Sequence, residues 1–387
     1  LTPLRKPAGR TKGNPDDKQN AAICGLSPRR LQLVAVLAVG LCAFAPKAQA
    51  LTAGDIAIIA ANCDATKGYV FVALNDIPAN TTITFTDNAW TSASGPFGTT
   101  EGYHQWSHTS IVKAGTVVTI SGTTPSVGSI TTGGSFDLSA SGDQLIAFAD
   151  TWANRPTTAS DSKFLYALSL ENFITTGSTS ANTSYLPSAL NSASAAMTTS
   201  ATETDNAYYA NGSSSISSLS QTLTQSGYLT LMNDRTKWYM NNTGPLTWPT
   251  YTLTVLATEP TSQAGNPTFS NVGSTSMDVS WSGGNGAYSL VVCYQGSDPS
   301  TLPTDATTYT ASATYGSGTA IGSGYVVYKG SGSSFTLSGL TASQTYYFRV
   351  YEFNGVDASD SSSGLRENYY TTGYGSANQA TSGGGYW

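Results

Sequence analysis

Two histidines, His104 and His108, stand four positions apart in Glu101-Gly-Tyr-His-Gln-Trp-Ser-His108 and are the only imidazoles in the chain. On a helix that spacing would let both rings reach one zinc ion. Trp106 lies between them in a β-prone context, however, and four residues of strand span about 13 Å. Zinc holds each ligand at about 2 Å, so the expectation here is a half-exposed aromatic strand without a metal. Asp87, Asn88 and Glu101 offer oxygens of the kind calcium gathers, roughly six to eight at a time. The competing expectation for Asp87-Asn88 is a turn held by side-chain-to-backbone hydrogen bonds. Asp64 and Asp143-Gln144 read as turn residues in the same way.

Acid–base or nucleophilic chemistry has little else to draw on. A glycosidase needs two cooperating carboxylates, and nothing around Glu101, Glu171 or Glu203 singles out a pair. The sequence has no Gly-x-Ser-x-Gly elbow, P-loop, Gly-x-Gly-x-x-Gly or Cys-x-x-Cys. The expectation is a protein that is not an enzyme and uses no cofactor. Aromatic side chains offer a different chemistry, stacking on sugar rings. Five tryptophans precede residue 258, and Trp90 and Trp106 sit in apolar runs typical of a core. Trp152 and Trp238 lie nearer loop-like stretches and are the candidate ligand contacts.

These side chains must be positioned by strands. Asp55-Ile-Ala-Ile-Ile-Ala60, Tyr69-Val-Phe-Val-Ala-Leu74 and Thr82-Ile-Thr-Phe-Thr86 are short β-branched and aromatic runs. Turn formers at 62–68 and 75–80 separate them. Thr116–Ile120, Gln144–Phe148 and Lys163–Leu168 continue the pattern. Only Ser188–Met197 and Ser217–Thr224 hint at a helical period. The stretches 175–183 and 192–204 are weakly patterned and expected to be surface loops. Ordered segments resume at Gly227-Tyr-Leu-Thr-Leu-Met232 and include Tyr251–Leu256. Such spacing of strands and polar turns predicts an all-β chain with two β-sandwich domains in tandem. Their expected limits are 51–257 and 267–382, with a Pro/Gly/polar linker at 258–266 and a flexible tail at 383–387.

The 387 residues contain 23 acidic and 17 basic side chains, and charged residues make up only 10%. No basic stripe marks a nucleic-acid binder. Arg29-Arg30, the apolar run Leu31–Ala45 and Ala48-Gln-Ala50 have the order of a secretory signal peptide with an extended n-region. The run is shorter than the roughly 20 residues of a membrane span. Residues 1–50 are therefore expected to be removed, leaving nine basic and 21 acidic residues. An acidic surface of that kind repels phosphate backbones and anionic lipid. Cys63 and Cys293 remain, and are expected to be buried unpaired thiols.

Met277-Asp-Val-Ser-Trp281 and Gly339-Leu-Thr-Ala-Ser-Gln-Thr-Tyr-Tyr-Phe-Arg-Val350 resemble a fibronectin type III module. That resemblance places Trp281 and Leu340 in the core and turns the Tyr346 hydroxyl back to the backbone, as in a tyrosine corner. Leu302–Tyr309, Gly318–Gly322, Tyr325–Gly330, Tyr351–Gly355 and Asn368–Thr372 resemble a variant found in large secreted bacterial surface proteins. Gly54–Ile59, Phe71–Ala79, Ile83–Trp90 and Ser139–Phe148 make the first domain similar to an uncharacterised, lamin-tail-like β-sandwich of secreted bacterial proteins.

The resulting expectation is a secreted or cell-surface structural or adhesion protein that self-assembles into an extracellular fibre or sheath. Its partners would be other surface proteins, copies of itself or glycans, and neither nucleic acid nor a membrane. Two alternatives stand beside it: a non-catalytic fragment of a larger secreted nuclease or phosphoesterase, and a carbohydrate-binding module.

Overall fold

A computed structural model describes residues 50–65, 67–191, 196–198, 203–298 and 300–385. The expected signal peptide lies outside them except for Ala50, as do Tyr386 and Trp387 of the expected tail. Ala48–Trp387 form one compact unit. The described chain is almost entirely β-structure.

Among the described residues, fourteen strands precede residue 258: β1 Ile56–Asn62, β2 Gly68–Ala73, β3 Thr82–Thr86, β4 Tyr103–Ser107, β5 Val117–Ser121, β6 Thr124–Pro125, β7 Ser129–Gly133, β8 Gln144–Ala149, β9 Phe164–Ser169, β10 Ala196–Thr198, β11 Asn206–Tyr209, β12 Ser218–Thr224, β13 Trp238–Asn241 and β14 Thr250–Leu256. They form one sheet in the order β13-β11-β1-β2-β5-β6, a second in the order β10-β9-β8-β3-β4-β7, and a parallel pair β12-β14. Alternation on β8 explains the layering. Leu145 and Ala147 join the main core, whereas Ile146 and Phe148 join Trp90, Phe97 and Phe164 in a separate cluster. Strand β8 is thus apolar on both faces, because the segment around Trp152 and 185–190 covers the second one. In the main core Phe71 lies 4.9 Å from Phe85 and meets Trp106 edge-on at 5.2 Å. Burial of each such ring contributes about 1.5–3 kcal/mol.

Two local expectations change. Ser218–Thr224 is a strand, because its leucines at 219 and 223 face the core at strand spacing. The helix follows it as α1, Gln225–Met232, capped by Thr224 Oγ1 accepting from the Gly227 N–H. Within 192–204, Ala196–Thr198 is a strand parallel to β9, with Met197 buried.

Beyond residue 258 lie β15 Thr268–Ser270, β16 Ser276–Ser280, β17 Tyr288–Gln295, β18 Ala320–Ile321, β19 Gly324–Gly330, β20 Ser334–Ser338, β21 Thr345–Asn354, β22 Asn368–Tyr369 and β23 Gly375–Ala380. Their sheets are β15-β16-β20 and β18-β19-β17-β21-β22, with β23 also on β21. Met277, Val279, Val291, Leu337 and Val350 fill the space between them. A second cluster, including Tyr309, Ile321 and Tyr369, covers the outer face of β17 and β21. Both Cys63 and Cys293 are buried free thiols.

Candidate functional site

The two histidines point to different partners. His104, on β4, is buried, with Nδ1 3.3 Å from the Tyr69 hydroxyl and its ring stacked on Phe136 at 3.8 Å. Burial pulls its pKa down to about 4, so the ring is neutral. His108 lies beyond the end of β4, where its Nδ1 is 2.8 Å from the Ser110 carbonyl oxygen. Among the described residues, no three His, Cys, Asp or Glu side chains group as metal ligands would.

At Asp87 and Asn88 the side chains hydrogen-bond to the backbone, as the turn reading expects. Both Asp87 carboxylate oxygens accept backbone N–H groups, from Gly102 at 2.9 Å and Asp137 at 2.8 Å. Asn88 Oδ1 accepts from the Glu101 N–H, and its Nδ2 donates to the Gly102 carbonyl. These side chains stitch the 101–102 and 136–137 loops to the end of β3. Asp143 does the same for Ser139 and Gln144. Burial pushes all three neighbouring carboxyls up: Asp87 to about 6, Glu101 to about 8 with help from Asp87, and Asp143 to about 9.

The two tryptophan candidates are not brought together. Trp238 is 6% exposed in the main core, and its Nε1 donates to the Met232 carbonyl at 2.7 Å. Pairing of β13 with β11 holds it there, leaving no ring face for a sugar. Trp152 is half-buried in a turn of 3-10 helix, against the outer apolar cluster. Tyr103 stacks on it at 5.0 Å and 15°, and the Arg155 guanidinium lies 4.6 Å from its ring centre. Its surface is therefore engaged by its own neighbours. In the second sandwich Trp281, Leu340 and Tyr346 are buried. The Tyr346 hydroxyl accepts from the Thr341 N–H at 2.9 Å, forming the corner.

A further constellation in the unit is a seam between the two sandwiches. Arg366 donates its N–H to the Val255 carbonyl at 2.8 Å and accepts from the Ala257 N–H at 2.9 Å. Asp76 Oδ1 accepts from both the Ala114 and Gly364 N–H groups, each at 2.8 Å. Asn354 and Asn368 donate to the Thr258 and Ala257 carbonyls. Leu365 packs half-buried on the core of the first sandwich. Even the polar stretch 258–266 is fastened: Asn285 Oδ1 accepts from the Thr261 and Ser262 N–H groups, and Ala264 is fully buried. The one sequence signal for the seam is Leu365, an isolated aliphatic residue in a polar run.

Strand order, the tyrosine corner and the core tryptophan together fit one family. Residues 259–365 match the fibronectin type III domain. Solved structures similar to this chain include a computer-redesigned β-sandwich protein, at 18% identity over 32% of this chain and 93% of that one, with a TM-score of 0.21. The sixth fibronectin type III domain of human fibronectin type III domain containing protein 3 is 17% identical over 33% and 92%, with a TM-score of 0.20. The FN5 domain of Drosophila Lar is 12% identical over 32% and 99%, with a TM-score of 0.19. No curated protein matches the chain. The fibronectin type III match spans β15 to β21 of the second sandwich, and the seam runs from that sandwich to the first.

Proposed function

We propose that this chain is a non-enzymatic structural unit of a secreted bacterial surface protein, built to associate with copies of itself or with other surface proteins. The observation that carries the reading is the seam. Backbone hydrogen bonds between Arg366 and Val255–Ala257 continue the structure from one sandwich into the other. Each bond contributes about 1 kcal/mol net, and several acting together with Leu365 resist hinge motion. A fibronectin type III module fixed in this way transmits load and orientation, which a recognition domain on a loose tether does not.

The chemistry of the buried polar side chains agrees. Asp87, Asn88 and Asp143 spend their oxygens on backbone N–H groups, and His104 faces Tyr69. These groups hold loops. Electron microscopy and light scattering on residues 48–387 test the proposal. Particles heavier than one chain, dimers or ordered polymers, are the expected result. A monomer at every concentration would remove self-association from the proposal.

A further inference from the structure

Strand β12, Ser218-Leu-Ser-Gln-Thr-Leu-Thr224, is an edge whose only strand partner among the described residues is β14, in parallel. Thr250 donates its N–H to the Ser217 carbonyl at 3.0 Å. In a parallel ladder this parity turns the backbone groups of residues 219, 221 and 223 toward β14 and those of Ser218, Ser220 and Thr222 away from it. Among the described residues no hydrogen bond reaches those outward groups, and the three side chains are exposed. Leu219 and Leu223 rest half-buried on the main core.

Two other edges of the first sandwich, β6 and β13, are blunted. Strand β6 carries Pro125 and is two residues long, and β13 follows Arg235 and Lys237. Proline, brevity and nearby charge are the usual guards against edge pairing. Strand β7 is also uncharged, but it is shorter and ends in Gly133-Gly134. By contrast, β12 is seven residues long, and the whole stretch 212–224 holds no charge and no proline.

The sequence of β12 also names its partner. By side-chain class it reads the same in both directions about Gln221: hydroxyl, leucine, hydroxyl, glutamine, hydroxyl, leucine, hydroxyl. We infer that β12 is a homodimer interface, in which two copies pair antiparallel about a two-fold axis through Gln221. Ser220 then faces Thr222 of the partner subunit, and Leu219 faces Leu223 of the partner subunit. The outward N–H and C=O groups of 220 and 222 fall opposite each other as hydrogen-bonded pairs. Leucine over leucine and hydroxyl over hydroxyl are favourable cross-strand pairs, and identical uncharged strands meet without like-charge repulsion. The contact joins two β12-β14 pairs into one four-stranded sheet. Being isologous, it closes at a dimer, so a longer fibre would need a second interface.

This inference deepens the structural reading above and rests on it. Its test is sedimentation equilibrium of residues 48–387 in three forms: unaltered, Ser220→Lys/Thr222→Lys, and Ser220→Glu/Thr222→Glu. Both positions are exposed, so circular dichroism and melting temperature are expected to stay unchanged. The unaltered chain should dimerise, each charged variant should lose at least tenfold in dimer affinity, and mixing the two variants should restore a heterodimer. Undiminished association of the lysine variant overturns the β12 interface while leaving self-association intact. A mixture that stays monomeric overturns the two-fold register. An unaltered chain that is monomeric throughout overturns both the interface and the self-association reading.

Discussion

Asp76 and Gly364, 288 positions apart, are joined by a 2.8 Å hydrogen bond from the Gly364 N–H to the Asp76 carboxylate. The same oxygen accepts from Ala114, so one side chain ties a loop of the first sandwich to the fibronectin type III module. Gly364 is required because a Cβ there would collide with the backbone of Ala114.

Asp76→Ala removes the acceptor from two N–H groups at once. The expected cost is about 1–3 kcal/mol, concentrated at the seam. Scanning calorimetry should show the single transition of residues 48–387 broadening or splitting as the sandwiches uncouple. Asp76→Asn keeps an oxygen acceptor and should fall between. A sharp single transition at an unchanged temperature in Asp76→Ala would show that the seam contributes no coupling.

How much of this was legible in the sequence depended on the range of the interactions. Ile56–Ala60 and Tyr69–Ala73 announce themselves because β-branched and aromatic runs bounded by turn residues are local signals. Trp281 and Tyr346 are recognisable because a tyrosine corner closes within a few residues. Ser218–Thr224 misleads because leucines at 219 and 223, four apart, also satisfy a helical spacing. The burial of Trp238 depends on β11, about 30 positions upstream, and the seam depends on Asp76 meeting Gly364. Neither contact leaves a periodic trace, so neither could be read from the chain. Asp87 and Asn88 show their chemistry but not their use, because a calcium ligand and a backbone clamp call for the same oxygens.

Stability should fall as pH rises through the neutral range. Asp87, Glu101 and Asp143 have folded pKa values raised to about 6, 8 and 9. The folded state therefore binds more protons than the unfolded state, whose carboxyls titrate near 4. Their contribution is full at low pH and lost as pH climbs toward the folded values, with a slope up to about 1.4 kcal/mol per pH unit for each proton. His104 acts oppositely, because its lowered value costs stability as pH falls from about 6.5 toward 4. Melting temperature plotted against pH should peak on the acid side of neutrality, and Glu101→Gln should flatten its alkaline limb. A curve that keeps rising to pH 9 would contradict the buried-carboxyl account.

The two tryptophans offered as ligand contacts should separate in denaturant titrations. Trp238→Ala empties a core position and breaks the bond to Met232, for a loss of about 3–5 kcal/mol. Trp152→Ala removes a half-buried ring whose partners Tyr103 and Arg155 can still reach solvent, so it should cost less. Glycan-array binding should be unaffected by Trp152→Ala. Binding that disappears with Trp152 while stability holds would restore the sugar-stacking role.

Tyr346→Phe isolates the corner of the fibronectin type III module. The ring is fully buried, and the substitution keeps its packing while deleting the oxygen that accepts from the Thr341 N–H. A net hydrogen bond contributes about 0.5–1.5 kcal/mol, and a stranded buried donor costs up to about 3. Because the Thr341 N–H is only part-buried, water can replace the lost acceptor in part. The expected loss is thus about 1–2 kcal/mol, seen as a lower urea midpoint with an unchanged slope, since the surface exposed on unfolding is the same. The first sandwich should feel this loss only through the seam, of which the Asp76–Gly364 hydrogen bond is one part. Adding Asp76→Ala should therefore confine the Tyr346→Phe destabilisation to the later-numbered sandwich, and tryptophan fluorescence in the two backgrounds would show whether it does.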